Sequence, residues 1–270
     1  MSMPDYIGEA AQFRARTSVK RLTVDGLVWP FIDQGNGPDA LVLCPGTLGH
    51  ADVFRNLIDH FSPRLRVISL TYPMVGDVFR IAEGAIGLLD RLGVGQANFL
   101  GSSLGGIVVQ TIAARHPERV AHAFIANSLA DLSSMSTTLP PPAMVEAMPA
   151  AAAKGPVRDN VASWPEPAPE FAAIKAYLLD ELARHFTGRA FKARLLALVR
   201  LEEIPTAAVS QERITILEAD DDPLITPEAR RSVAARYPAA HVHAFASGGH
   251  YPYVIRPDEY CRIVEQRLAV

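Results

Sequence analysis

Residues 99–106, Phe-Leu-Gly-Ser-Ser-Leu-Gly-Gly, constrain this chain more than any other stretch. They contain Gly101-Ser102-Ser103-Leu104-Gly105, a G-x-S-x-G pattern. An apolar run ending in Asn98-Phe99-Leu100 precedes it, and Gly106-Ile107-Val108-Val109-Gln110-Thr111-Ile112 follows with apolar residues at helical spacing. Strand, tight turn and helix make the context in which such a serine is a nucleophile elbow. A strand that turns at once into a helix forces its tip residue into a strained conformation. Only very small side chains fit two residues to either side, and Gly101 and Gly105 meet that demand. Ser103 then stands at the tip, over a helix N-terminus whose field favours the negative charge of acyl transfer. The plain alternative, a glycine-rich turn with an incidental serine, leaves that flanking pattern without a purpose. The glycines also miss the G-x-G-x-x-G spacing of a dinucleotide loop.

Around the elbow, strand and helix patterns alternate. Residues 21–33 read as a strand pair broken at Asp25-Gly26, and residues 40–44 as a buried strand. A helix is expected over 52–61, a strand over 65–70, a helix over 79–92 and a strand over 120–127. Residues 1–20 show no clear period and suggest an arm or a short helix. From Asp131 the composition shifts: residues 133–142 are polar and end in three prolines, residues 150–153 are alanines, and residues 164–169 are again proline-rich. This stretch is low in strand potential and is expected to be partly mobile. Helical spacing returns at Phe171, Ile174, Leu178, Leu182 and Phe186, with a second helix over 189–203. The α/β pattern resumes with a strand at 214–217, a helix at 227–237, a strand at 240–245 and a helix at 258–269. The organisation expected is an α/β core formed by 1–130 and 206–270, with a helical cap over 131–205 inserted between strands 6 and 7. Strands alternating with helices imply parallel pairing through right-handed crossovers.

Composition excludes several functions. A formal net charge of −3 offers no basic field for nucleic acid or an anionic membrane. Two cysteines, Cys44 and Cys261, are too few for a disulfide framework. The first twenty residues lack the apolar core of a signal peptide. The long uncharged stretch over 92–114 is broken by glycines and polar residues, so it reads as the buried elbow and not as a membrane span. A cytoplasmic protein acting on a small molecule is expected.

A serine hydroxyl needs a base within hydrogen-bond reach, and that base needs a group to orient it. Each role is available after a strand. Ser103 follows the elbow strand, Asp220-Asp221-Asp222 follow the strand at 214–217, and His250 lies after Gly248-Gly249 in the loop beyond the last strand. A parallel sheet gathers such loops at one edge. Asp222, which stands before Pro223, is the expected acid, with Asp221 second and Asp220 third. Two backbone N–H groups would hold an oxyanion: that of Leu104, and one from the loop after residues 40–44, Thr47 by preference. His50 sits beside that loop and is expected to be structural. His241 and His243 are taken as a surface face, and His60, His116, His122 and His185 as solvated or locally bonded. No metal-ligand spacing of the HExxH or EF-hand type occurs, and no cofactor is implied.

These features resemble the α/β-hydrolase superfamily, in which the order of the three roles is Ser, Asp, His. Within it the chain is similar to the maspardin group. The likeness rests on Ala51-Asp52-Val53-Phe54, Tyr72-Pro73, Ser103-Leu104-Gly105-Gly106, Asn127-Ser128 and Gly248-Gly249-His250-Tyr251-Pro252-Tyr253. It implies a mostly parallel sheet of about eight strands beneath a helical cap. It also implies a rival function, because maspardin is regarded as a binding protein with an asparagine in place of the catalytic histidine; here His250 is present. The expected activity is therefore that of a serine hydrolase, carboxylesterase-like, passing through an acyl-enzyme on a small carboxylic ester. C–C bond, lactone or amide hydrolysis on the same triad, and a non-catalytic binding or adaptor protein with a relict site, are the alternatives. The apolar cap helices could cover the pocket or pair with a second copy in a homodimer.

Overall fold

The computed structural model describes residues 3–132 and 139–268. Helix α1 (Tyr6–Arg16) is capped by Asp5, whose Oδ1 accepts the Gly8 N–H at 2.8 Å. It forms where the sequence shows little period because Tyr6, Ala10 and Phe13 share one face and bury it. Strands β1 (Lys20–Val24) and β2 (Leu27–Gln34) make an antiparallel hairpin. Asp25 and Gly26, with φ of 49° and 75°, supply the two left-handed residues that a two-residue hairpin turn requires. Strand β3 (Ala40–Cys44) is buried at every residue, Ala40, Val42 and Cys44 facing one core and Leu41 and Leu43 the other. That two-sided burial is why its sequence is an unbroken apolar run. A 3-10 turn at Ala51–Phe54 leads into α2 (Arg55–Phe61) where the sequence reads as one helix. Then come β4 (Arg66–Leu70), α3 (Val78–Arg91), β5 (Ala97–Ser102), α4 (Leu104–Arg115) and β6 (Val120–Ala126).

Among the described residues four α-helices lie between β6 and the next strand: α5 (Pro142–Ala147), α6 (Gly155–Ala162), α7 (Pro169–Arg184) and α8 (Gly188–Val199). The first two fall in the stretch that composition marks as irregular. Proline explains the difference, since it occupies the first or second position of α5, α6 and α7. There its missing N–H costs nothing and its fixed φ starts a helix, so residues that read as breakers are starters. Helix α8 ends at Val199, short of the pattern that runs to 203. Residues 133–138 of the expected polar segment lie outside the described residues. The core resumes with β7 (Ile214–Ala219), α9 (Pro227–Arg236), β8 (His241–Phe245), α10 (Pro252–Ile255) and α11 (Pro257–Leu268).

The eight strands form one sheet in the order β1-β2-β4-β3-β5-β6-β7-β8. Only β2 runs antiparallel, to both of its neighbours β1 and β4; the pairs from β4 through β8 in that order are parallel. Ile81, Leu88, Val108, Ile112 and Val233 from α3, α4 and α9 fill one side. Phe13, Ile58, Tyr177 and Val264 from α1, α2, α7 and α11 fill the other. The loops after β3, β5, β6, β7 and β8 therefore meet at one sheet edge. Among the described residues no helix is long and apolar enough to cross a membrane.

Candidate active site

Ser103 lies between β5 and α4 with φ 57° and ψ −120°, a conformation rare for a residue with a side chain and held only where its surroundings over-determine it. Its N–H donates to the Ala126 carbonyl at 2.9 Å. Its own carbonyl accepts the Gly106 N–H at 2.9 Å and the Ser128 hydroxyl at 2.8 Å. A Cβ at Gly101 would overlap the Gly105 carbonyl, and one at Gly105 the carbonyl of Cys44. Both collisions are with backbone, which has no rotamer to yield, so the small residues around the elbow are a packing requirement. Among the described residues the Ser103 hydroxyl makes no hydrogen bond and faces a cavity.

His250 follows β8 and is buried. Its Nδ1 lies 2.9 and 3.1 Å from the two oxygens of Asp222, in the turn after β7. Asp222 also accepts the Leu224 and Ile225 N–H groups at 2.8 and 3.0 Å and the Asn127 side-chain amide at 2.8 Å. Burial alone would raise this carboxyl. The His250 charge and the converging hydrogen bonds outweigh it and hold the carboxyl below the usual aspartate range. Asp221 points elsewhere: its Oδ1 accepts the Gly248 and Gly249 N–H groups at 2.9 and 2.7 Å, tying down the loop that carries His250. Asp220 is exposed near Arg230.

Thr47 sits in the loop after β3, which presses on the elbow so closely that a Cβ at Gly46 would come within 3.1 Å of the Ser103 Cβ. Among the described residues the Thr47 N–H has no partner. Leu104 opens α4, so its N–H has no intrahelical acceptor. Thr47, Leu104, Ser103 and His250 all line the same cavity. The Thr47 loop is held from behind by Arg194 of α8, whose Nη1 donates to the Thr47 carbonyl at 3.2 Å and to the Gly49 carbonyl. Arg194 is 1% exposed, has no carboxylate partner among the described residues and is pushed down to about 10 by burial. His50 stacks on Phe186 at 4.1 Å, off the cavity wall, and is driven down to about 3 by burial and then by Arg194.

A model described as an alpha/beta hydrolase family matches residues 41–263. The chain belongs to the alpha/beta hydrolase family. This family member is 28% identical to maspardin from Danio rerio over 266 residues, 95% of this chain and 83% of that protein. It is 27% identical to a 2-hydroxymuconate semialdehyde hydrolase from Pseudomonas putida over 205 residues, 70% of this chain and 68% of that protein. Its fold is similar to the enol-lactonase from Burkholderia xenovorans LB400, with a TM-score of 0.75 at 17% identity over 93% of this chain and 100% of that one. The expected family, the likeness to maspardin and the mostly parallel sheet are thus borne out.

In this alpha/beta hydrolase the cavity measures about 620 Å³. One wall comes from the sheet edge and the other from α5, α6 and α8, through residues such as Met144, Val157, Val161 and Leu195. The Trp164 ring meets His250 edge-on at 6.4 Å. Three contributors carry no motif that announces their role. Arg194 reads as an ordinary charged helix residue, and Trp164 as part of a proline-rich connector. Asn127 holds φ 42° and donates both to Asp222 and to the Gly249 carbonyl at 3.3 Å. Its sequence signals are the Asn127-Ser128 pair of the maspardin likeness and an asparagine directly after a buried strand, where a left-handed residue ends the strand; neither announces its bond to Asp222. His122 is buried and lies 2.8 Å from the Thr215 hydroxyl, while His60, His116, His185 and His243 lie within ion-pair distance of carboxylates away from the cavity. Burial pushes the Cys44 and Cys261 thiols up to about 12, so neither is a nucleophile at neutral pH. Among the described residues no three His, Cys, Asp or Glu side chains are grouped to hold a metal.

Proposed function

We propose that this chain is a serine hydrolase that cleaves small carboxylic esters through an acyl-enzyme. The observation that carries the proposal is the His250–Asp222 pair, 2.9 Å apart, with His250 on the wall of the cavity that Ser103 faces. Asp222 accepts the Nδ1–H and so fixes the tautomer that leaves Nε2 free to take the Ser103 proton. Ser103 attacks the ester carbonyl, and the Thr47 and Leu104 N–H groups receive the oxyanion. His250 then protonates the leaving alcohol and activates the water that resolves the acyl-enzyme. Asn127 positions Asp222, and helices α5–α8 act as a cap that shapes the cavity and limits water.

The test is covalent labelling with a fluorophosphonate, followed by peptide mapping, beside turnover of short 4-nitrophenyl esters. Labelling at Ser103 that disappears in Ser103→Ala and slows sharply in His250→Ala is the expected result. Folded protein that neither labels nor turns over an ester would be a binding protein with a relict site.

A further inference from the structure

The cavity beside Ser103 has ample room and, among the described residues that line it, no charged side chain. Its volume of about 620 Å³ falls within the range of about 300–1,000 Å³ that accommodates drug-sized ligands. None of its lining residues is Asp, Glu, Lys or Arg. Polar groups lie at the reacting edge, in Thr47, Ser102, Ser103 and His250, and the facing wall adds Asn160 of α6, whose Oδ1 accepts the Trp164 indole N–H at 3.0 Å; Met148, Val157, Leu195 and Leu198 make the rest of that wall apolar. Residues 133–138, Ser-Ser-Met-Ser-Thr-Thr, hold no basic or acidic residue.

The cations nearest in the chain to these walls are committed elsewhere. Lys154 donates to the Leu182 and Phe186 carbonyls at 2.7 and 2.9 Å. Lys192 donates to those of Glu146 and Met148 at 2.8 and 2.7 Å. Arg194, buried behind the Thr47 loop, spends its Nη1 on backbone carbonyls. Arg158, next to Val157 on α6, is exposed and lies 2.8 Å from Asp159. None of these cations is among the described residues that line the cavity. A substrate carboxylate placed there would lose its water and find no counter-ion, a heavy penalty for a buried charge. An aliphatic chain would replace water against apolar side chains.

We infer that the substrate is an uncharged ester bearing an aliphatic chain, an inference that rests on the serine-hydrolase assignment above. The chain lies along the α5, α6 and α8 wall while the carbonyl sits at Ser103. Substrates with a free carboxylate next to the scissile bond or at the chain end are excluded. That separates this chain from any relative acting on an acid such as a muconate semialdehyde.

The experiment compares 4-nitrophenyl hexanoate with 4-nitrophenyl hydrogen adipate, which has the same acyl length and a terminal carboxylate. The neutral ester should have the higher kcat/KM by about 100-fold or more. From acetate to hexanoate, kcat/KM should rise by about twofold to fourfold per methylene. Rates for hexanoate and adipate within about tenfold of each other, or a fall from acetate onward, would overturn the inference. If fluorophosphonate labels Ser103 while the adipate ester is matched or preferred, the hydrolase assignment stands and the substrate class falls. If no ester turns over, methyl hexanoate and monomethyl adipate are titrated against the folded protein by tryptophan fluorescence. Tighter binding of the neutral ester by about tenfold supports an uncharged aliphatic ligand without catalysis. Equal binding, preference for the anion, or binding of neither overturns it.

Discussion

Two buried carboxylates in different settings of this molecule behave in opposite ways. The Asp222 side chain is 0% exposed and that of Glu181, on α7, is 4% exposed. Burial raises both, yet Asp222 is lowered and Glu181 is raised to about 7. The surroundings decide the sign. Asp222 receives donors from His250, Asn127, Leu224 and Ile225. Glu181 has Arg14 of α1 at 2.6 Å, but burial outweighs that bond, and the negative charges of Asp52 and Asp180 add to the rise. Nearby Arg55 keeps two guanidinium nitrogens without a partner among the described residues. The sheet edge thus surrounds its charge with fixed donors, whereas the seam between α1 and α7 compresses more charge than it can satisfy. Burial is tolerated in both places, but only in the first do the donors outweigh it and favour the ionised carboxylate.

That contrast can be broken from the site side first. Asp222→Asn should lower kcat/KM by about 1,000- to 10,000-fold with little change in KM, because His250 loses the group that fixes its tautomer. Asp221→Asn, which keeps an acceptor for Gly248 and Gly249, should cost less than about tenfold in the same ester assay. Equal losses in the two variants would remove the distinction between the aspartates. Arg194→Met should lower kcat by about 100-fold, the scale of one misplaced oxyanion donor, since the Thr47 and Gly49 carbonyls lose their brace. A circular-dichroism melt separates that loss from unfolding. Asn127→Ala removes one of the donors to Asp222 and should move the acid limb of the pH–rate profile upward, with a loss of about tenfold at neutral pH.

The seam yields the smallest effect, and it lies in stability. Because Glu181 is raised in the folded protein, its contribution is complete below its ordinary value of 4.5 and is lost as pH rises through about 7. Asp222 has the opposite linkage: its contribution is present above 3.8 and is lost as pH falls through its lower folded value. Denaturant titrations between pH 5 and 8 should show wild-type stability declining, with Glu181→Gln flatter by up to about 1.4 kcal/mol per pH unit. Parallel curves would mean that Glu181 is ionised throughout and that the two carboxylates are alike after all.

Much of this protein was legible in the chain. The alternation of buried strands and amphipathic helices gives the parallel sheet, because strand and helix periods follow from local geometry. Gly101 and Gly105 announce the elbow, because a close backbone approach excludes every larger residue. Ser103, Asp222 and His250 each follow a strand, and parallel strands deliver such residues to one edge. Other features required tertiary structure. The choice of Asp222 over Asp221 depends on where two adjacent side chains point, and sequence spacing does not encode that direction. The prolines of α5 and α6 break or begin helices according to what packs beneath them. Asn127 and Arg194 act through hydrogen bonds spanning 95 and 147 residues of chain, and no local pattern pairs the two ends. Local periodicity settled the elements and their order, while long-range packing chose which charged groups meet, because burial and hydrogen-bond satisfaction are properties of the assembled whole.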